Sequence, residues 1–364
     1  MNYTRLRSYI SKNKKYLIPT TFMAFSLLIH VICRNSAIFS DFLTFGLSAF
    51  IRAILSGVTS LIPFSLAETV IIMLPILLVY VFYLALRLKE PDTRIVKVLV
   101  MILCVMYALF VFSFAPAYST TTVDKLFEID ASPISTEELY ETAEILASEI
   151  NSIVDDIDFE YGSFSRMNYD LDTLSMKLVD AYDRLGSKYS FIKNYNSRLK
   201  PIALSKPMTH THISGVYTYY TGETNINTNF PDYTIPYTSA HEMAHARGFA
   251  REKEANFVAF LACEASNDPY VKYSGKLSML EYITNALYSA DSDLYYDIFY
   301  NLDIRVRCEL AAFGDFFEEY KDSTASEISG TVNDIYLKSQ GQSEGEKSYG
   351  LVVDLAVSYI LSSR

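Results

Sequence analysis

The chain has 364 residues, half of them hydrophobic, and a formal net charge of −11 at pH 7. Residues up to Ala117 carry 11 Lys and Arg against 4 Asp and Glu, so the remainder carries 20 against 38. A basic, apolar front and an acidic, polar back are typical of a membrane anchor joined to a soluble domain. The acidic domain would repel phosphate backbones, which excludes nucleic acid as a partner.

Three runs approach the roughly 20 apolar residues that are needed to cross a bilayer. They are residues 16–33, 69–86 and 98–115. The first run resembles a signal peptide, but Arg34 follows it without a small-residue cleavage site, so we predict an uncleaved anchor. Pro75 inside the second run is tolerable in a membrane helix.

The stretch 42–64 is also apolar, but Arg52, Gly57 and Pro63 interrupt it. An arginine at the centre of a spanning helix costs a few kcal/mol on insertion scales. We therefore predict an amphipathic or re-entrant segment at the membrane surface, and a fourth span is the alternative.

Positive charge in the short loops predicts the orientation. Five basic residues precede the first run, namely Arg5, Arg7, Lys12, Lys14 and Lys15. Four more lie between the second and third runs, namely Arg87, Lys89, Arg94 and Lys97. Three spans place both groups in the cytoplasm, so the chain is expected to be a multi-pass protein of the cell membrane with an extracellular domain.

These observations divide the chain into a membrane anchor (1–117), a linker (118–134) and an extracytoplasmic domain (135–364). Within that domain, Ser135 and Glu138 are spaced as a capping box that opens a helix reaching Ile157. A second helix is predicted from Leu171 to Leu185, ended by Gly186.

Residues 213–229 differ from the helical segments around them. They are β-branched, aromatic and rich in Asn, with breaks at Gly215 and Gly222, and they predict one or two strands with a turn. From Pro236 onward the pattern is almost wholly helical. The predicted fold class is α+β, with transmembrane helices followed by a mostly helical domain that contains a small β element.

The segment 238–248 contains the pattern His-Glu-x-x-His, formed by His241, Glu242 and His245. Residues four apart lie one turn above each other on a helix, so the two imidazoles can bind one ion. Glu242 stands beside the first ligand and can act as general base toward a water at the metal. The pattern predicts a catalytic Zn²⁺ site, in which the metal acidifies water and polarises a carbonyl.

A catalytic zinc needs a third protein ligand. Gly248 is a natural helix stop after which the chain can turn back, and two acids follow it, Glu252 and Glu254. They are two apart and point to different faces of a helix, so one of them should bind the metal. We favour Glu252, because Asn256 lies one turn on and its amide can orient a ligand; Glu254 is the alternative.

These residues carry a resemblance to known families. His-Glu-x-x-His followed by Glu-x-x-Ala-Asn at 252–256 resembles the glutamate-type zincins, in which the first Glu of the second motif is the third ligand. Asn256 departs from the Asp found in many of them. The wider run from Ile213 to Phe257 is similar to a bacterial membrane family catalogued as domain of unknown function family 3810. The resemblance implies a zincin-like domain, Glu252 as the ligand, and no established substrate.

Several residues near the motif are candidates for binding a peptide substrate. An edge strand at 222–227 would pair with the substrate backbone, with Asn225 or Asn227 holding its amides. Tyr237, like Tyr219 and Tyr220, is a candidate donor to the oxyanion of the reaction. His212 shares a face with His210 on an extended segment, whether as a ligand or as an exposed loop histidine.

The chain contains four cysteines. Cys33 and Cys104 fall in apolar runs and are expected to be small buried side chains. Cys263 and Cys308 lie in the outer domain, where a disulfide is the less favoured alternative to two free thiols.

The predicted function is hydrolysis of peptide bonds in peptide or protein substrates outside the cytoplasm, by a zinc metallopeptidase held in the lipid bilayer. The alternative is a non-catalytic, zincin-like sensor or assembly factor in the membrane. Glu242 discriminates between them, because a scaffold that only binds metal has no use for a base beside the ligand.

Overall fold

The computed structural model describes residues 20–87, 93–130, 132–160, 164–343 and 352–363. The basic N-terminal residues, Lys89 and the start of the first apolar run lie outside the described residues. The described part is mostly helical with one small sheet, as predicted.

The N-terminal third is a series of helices, with a π-helical turn at Leu43–Leu47 and a 3₁₀ turn at Ala115–Ser119. Its helices are α1 (Thr20–Asn35), α2 (Ala37–Phe42), α3 (Ser48–Thr59), α4 (Leu66–Arg87) and α5 (Thr93–Ser113). The elements that follow are α6 (Val123–Leu126), α7 (Thr136–Ile153), α8 (Leu171–Lys188), β1 (Leu199–Pro201), α9 (Ser205–Thr209), β2 (Gly215–Thr218), β3 (Glu223–Ile226), α10 (Thr234–Arg247), α11 (Glu252–Ala265), α12 (Pro269–Ala290), α13 (Ser292–Asn301), α14 (Ile304–Glu318), α15 (Thr324–Ser339) and α16 (Val352–Ser362). A further 3₁₀ turn, Val154–Asp156, follows α7.

Two helices of the described residues are long and apolar enough to cross a membrane, Ala37–Thr59 and Leu66–Leu84. The apolar helices Thr20–Asn35 and Val98–Ser113 are shorter. Length and composition therefore indicate membrane association. The structure differs from the prediction in one respect, since the stretch around Arg52 is part of a continuous helix.

That helix packs one face on the outer domain. Arg52, Ser56 and Ala49 are buried, whereas Phe50 and Ile54 are 63% and 49% exposed. The arginine therefore faces protein, where its charge is hydrogen-bonded, and the opposite face is apolar and exposed. The helix is therefore amphipathic, as predicted for residues 42–64, and the length and composition of Ala37–Thr59 also fit the alternative of a fourth span.

The segment predicted as a linker, 118–134, is instead largely packed. Phe127 joins the core of the domain. The amide of Thr121 donates to Asp41 Oδ1 at 2.9 Å, and Arg251 donates to the Thr120 carbonyl at 3.1 Å. This Thr-rich tract thus joins the N-terminal helices to the domain, because its polar groups bind Asp41 on one side and Arg251 on the other.

The helices of the domain pack around α11, whose residues from Ala255 to Cys263 are all buried. Helices α8, α10, α12 and α16 surround it. Helix α7 begins with the predicted capping box of Ser135 and Glu138. Helix α8 differs from the prediction, since it continues through Gly186 to Lys188 before Tyr189 caps it.

The sheet has the strand order β1-β3-β2. Strand β2 pairs antiparallel with β3, with Val216 opposite Asn225, and β1 pairs parallel with β3 through Lys200. The hairpin β2–β3 was predicted, and the three-residue β1 was not. Because β3 is central, the expected edge strand at 222–227 is wrong: β2 and β1 form the edges.

Candidate metal centre

Helix α10 carries His241, Glu242 and His245, and its residues from Ile235 to Arg247 are all buried. Gly248 ends the helix in the left-handed region, with φ of 100°. A Cβ on Gly248 would lie 2.7 Å from the Arg52 guanidinium. This sharp stop turns the chain back, so that α11 begins only four residues later and places Glu252 beside the two histidines.

The three predicted ligands converge. Glu252 Oε2 lies 3.3 Å from His241 Nε2 and 3.5 Å from His245 Nε2. Ligands held at about 2.0–2.1 Å from a tetrahedral zinc are separated by about 3.3–3.4 Å. His241, His245 and Glu252 are also the group of described residues whose donor atoms lie close enough together to hold a metal ion.

The donor set fits a divalent cation chemically as well. Glu252 Oε2 is buried and accepts no hydrogen bond from any of the described residues. The Nδ1 of His245 lies 2.7 Å from the carbonyl oxygen of Phe249, to which it donates, so Nε2 is the ring nitrogen that would lose its proton and bind a metal. Two imidazoles and a carboxylate are a typical protein set for catalytic zinc.

The three ligands also act on one another's charge. Burial alone would lower the pKa of His245, but the carboxylates of Glu252 and Glu242 outweigh it and raise the pKa to about 9. Burial alone would raise the pKa of Glu252, but the two histidines lower it to about 2. The pocket thus keeps Glu252 ionised, which is the state that binds a cation.

Glu254, the alternative third ligand, lies elsewhere. Its Oε1 is 2.9 Å from Arg251 Nε and accepts a hydrogen bond from the Val123 amide at 3.1 Å. This carboxylate therefore fixes the packed segment before α6, as the two-residue spacing from Glu252 on a helix requires.

Glu242 is buried beside the metal-binding group and touches strand β2. A Cβ on Gly215 would lie 2.7 Å from Glu242 Cγ and 2.9 Å from its Oε1. Burial raises the pKa of Glu242, although the neighbouring histidines and the backbone amide of Tyr217 oppose that rise. A carboxylate of raised pKa in this position would be suited to taking a proton from water if a metal ion were bound by the three side chains.

The sequence model of a family described as a protein of unknown function (DUF3810) matches residues 44–357. The chain belongs to this family. The match includes Arg52, strand β2 and all three ligands, so the family unit contains α3 as well as the outer domain. No curated protein and no solved structure matches the chain.

Asn256 is buried one turn after Glu252, and its role in orienting a ligand stays a prediction. Its carbonyl oxygen accepts a hydrogen bond from the Tyr237 hydroxyl at 3.1 Å, and its amide donates to the Tyr282 hydroxyl at 3.3 Å. The Tyr237 proton is thus donated to a backbone oxygen and is not directed at a substrate. Tyr237 joins α10 to α11 and supports the ligands from behind.

The two asparagines of the hairpin bind within the protein. Asn225 donates to the Val216 carbonyl at 3.1 Å, and Asn227 donates to the Ile213 carbonyl at 3.0 Å. Both are buried, and neither lines the cleft at the metal centre. These bonds hold both amide nitrogens within the protein, and a contact of either side chain with substrate stays a prediction.

His212 lines the cleft, and its backbone is left-handed with φ of 60°. Its Nε2 donates to the Tyr320 carbonyl oxygen at 2.8 Å, which leaves Nδ1 as an acceptor. The His210 ring packs edge-on against the Tyr320 ring. Neither histidine belongs to the metal-binding group, and a role of His212 in substrate binding stays a prediction.

The cleft over the metal centre has a volume of about 1810 Å³. Its walls come from β2, α10, α12 and α15, together with parts of α14. Three carboxylates besides Glu242 and Glu252 line it, namely Glu281, Glu327 and Asp334. A cleft of this size accommodates an extended polypeptide.

Sequence reasoning missed three contributors to the site. Gly215 makes room for Glu242, the Phe249 carbonyl orients His245, and Arg52 contacts the end of α10. Gly215 was visible as a break in a β-rich run, and Arg52 as a charge in an apolar one. The Phe249 contact had no sequence signal, since it uses a backbone atom.

Both cysteines of the outer domain are free thiols, with Cys263 buried in the core. The alternative of a disulfide between Cys263 and Cys308 is therefore absent from the structure. The Cys263 side chain instead packs against Gly275 of α12.

Proposed function

We propose that this protein is a zinc-dependent peptidase anchored in the cell membrane, which hydrolyses peptide bonds outside the cytoplasm. The observation that carries the proposal is the convergence of His241, His245 and Glu252 at tetrahedral spacing, with Glu242 beside them. The resemblance to glutamate-type zincins supports the same assignment of ligands.

In this proposal the three ligands hold Zn²⁺, which supplies acidity to a water and polarises the scissile carbonyl when bound. Glu242 takes the proton of the attacking water and passes it to the leaving amine. Gly215 allows the carboxylate to lie against β2, so the base is next to any chain that lies along this strand.

Strand β2 supports the binding of an extended substrate. It is an edge of the sheet, it lines the cleft, and Val216 is 42% exposed. An edge strand presents free backbone donors and acceptors to which a peptide can pair. Peptides and unfolded protein segments are therefore the substrate class that the geometry favours.

The contacts of the N-terminal helices support a domain on the outer face of the membrane. At the start of α4, the backbone amide of Ala67 donates to Glu223 of the domain at 2.9 Å. At the end of α5, the Ser113 hydroxyl donates to the Tyr219 carbonyl of the domain at 3.4 Å. The far ends of α4 and α5, with their basic loop, then lie in the cytoplasm, as the positive-inside rule requires.

The test uses the purified full-length chain in detergent. Metal analysis should find one zinc per chain, and His245→Ala should lose it. Glu242→Gln should retain the zinc and lose hydrolysis of a peptide library analysed by mass spectrometry. Glu141→Gln, on the exposed face of α7, is the matched control and should cleave as the unchanged chain does. Equal turnover by the Glu242→Gln form would refute the proposal.

A further inference from the structure

Helix α15 has its polar and apolar sides reversed relative to an ordinary helix of a soluble domain. Ser329 and Asn333 lie half-buried and line the cleft. Ile328, Val332 and Ile335 are 62–63% exposed; Val332 also borders the cleft, whereas Ile328 and Ile335 do not line it. Residues at i, i+4 and i+7 share one face of a helix, so these three form a continuous apolar strip, which we call the α15 strip.

Helix α7 shows the ordinary arrangement within the same domain. It exposes Glu137, Glu141 and Glu144 and buries Leu139 and Leu146. Exposure to water therefore explains the polar outer face of α7, but it does not explain the apolar outer face of α15. Contiguous exposed apolar surface of this kind marks a contact with a membrane or another protein.

The position of α15 selects the membrane. Arg34, at the end of α1, donates to the carbonyl oxygen of Ser339, at the end of α15, over 3.4 Å. The hydroxyl of Tyr118, in the turn after α5, donates to the hydroxyl of Tyr336 at 3.0 Å. Both partners lie where the apolar helices α1 and α5 meet the outer domain. The C-terminal half of α15 is thus attached at the outer end of two anchor helices.

We propose that the α15 strip is embedded in the outer surface of the lipid bilayer. An amphipathic helix lying in the interface buries its apolar face about 5–10 Å into the boundary between headgroups and acyl chains. Because the other side of α15 is a wall of the cleft, the cleft then opens directly beside the membrane. The favoured substrates are polypeptides held at that surface. This inference rests on the membrane anchoring proposed above and is independent of catalysis.

The chain contains no tryptophan, so one introduced tryptophan is a unique fluorophore. Ile328→Trp places it on the α15 strip at a position that does not line the cleft, and Ile335→Trp is a second reporter on the same strip. Val79→Trp, at a site of α4 that is 70% exposed, is the membrane control. Met176→Trp, at a site of α8 that is 63% exposed, is the control for the aqueous surface. Each full-length variant is placed in phosphatidylcholine vesicles whose acyl chains carry bromine, a contact quencher, near the headgroup.

Ile328→Trp and Ile335→Trp should lose emission in brominated vesicles relative to unbrominated ones, as Val79→Trp does, and Met176→Trp should not. Loss of emission by Val79→Trp but by neither strip variant would overturn the inference and leave the anchor intact. If a tryptophan on the α15 strip were shielded from water only at high protein concentration, the strip would be covered by a second copy of the chain. That result would also overturn the inference. Unquenched emission from Val79→Trp would overturn both the anchor and the inference.

Discussion

Arg52 donates a hydrogen bond to the carbonyl oxygen of Arg247, 3.3 Å away in the last turn of the helix that carries the metal-binding histidines. The same guanidinium donates to the carbonyls of Ser113 at 2.7 Å and Thr44 at 2.8 Å. Two of these acceptors are the last residues of α5 and α10, where the helix dipole favours a cation. One buried side chain therefore joins the N-terminal helices to the candidate metal centre.

Arg52→Met should lower the thermal unfolding midpoint of the full chain in detergent. The change leaves buried carbonyl oxygens without their charged donor, at a cost of at least about 3 kcal/mol in the free energy of unfolding. For a chain of 364 residues that corresponds to a decrease of about 4 °C. Arg34→Met, which removes an exposed donor with one long bond to Ser339, is the control and should shift the midpoint little. Equal midpoints for both variants would contradict the role of Arg52.

Glu252→Gln should abolish stoichiometric zinc binding, whereas Glu254→Gln should retain it. Only the Glu252 carboxylate lies within tetrahedral spacing of the two histidines. Glu254→Gln should nevertheless lower stability, because Arg251 loses its buried carboxylate partner. Metal analysis and thermal unfolding of both variants separate the two effects. If the Glu254→Gln form lost zinc and the Glu252→Gln form kept it, Glu254 and not Glu252 would be the third ligand.

Gly215→Ala should slow peptide hydrolysis while the zinc content stays unchanged. The added methyl group would lie within 3 Å of the Glu242 side chain and displace the base. A displacement of this order costs about 10-fold to 100-fold in rate. Gly314→Ala is the matched control, since its Cβ would meet nothing within 4 Å. Steady-state rates and metal content of the two variants give the comparison, and similar rates would remove Gly215 from the site.

Glu281, on α12, should make the protein less stable as the pH rises. Burial and the nearby Glu309 charge raise its pKa in the folded chain to about 7 from an ordinary value of 4.5. Below pH 4.5 the side chain is protonated in both states. Between pH 4.5 and 7 the folded chain holds a proton that the unfolded chain has released, so stability falls with rising pH. Above pH 7 the loss is complete and amounts to about 3 kcal/mol.

Glu281→Gln removes this titration, so its stability should fall less between pH 5 and pH 8 than that of the unchanged chain. Glu327→Gln, an exposed carboxylate on the same cleft, should behave as the unchanged chain does. Thermal unfolding midpoints at both pH values provide the measurement. Parallel curves for all three proteins would show that Glu281 has an ordinary pKa.

The sequence predicted those features that depend on short spacing. The i, i+4 separation of His241 and His245 predicts two imidazoles on one face, and the structure places both beside Glu252. The Ser135 and Glu138 spacing predicted the start of α7 to within a residue. Such predictions hold in the folded chain because they depend on helix geometry alone.

The same reasoning failed where a pattern fits two structures. Gly186 was read as a helix stop, yet α8 continues through it because packing against the core outweighs the intrinsic cost of one glycine. The strand at 222–227 was placed at the edge of the sheet, whereas β1, only three residues long, covers it. A strand of that length has no periodicity to detect.

The sequence by itself determined that His241 and His245 share one face of a helix with Glu242 beside them, because these three residues lie within four positions of each other. Only the tertiary structure decided that Glu252 faces the histidines while Glu254 binds Arg251. It also decided that Gly215 and Arg52, which are 27 and 190 residues from Glu242, complete the surroundings of the site. Contacts over such distances depend on how the helices and the sheet pack, and no local spacing encodes that.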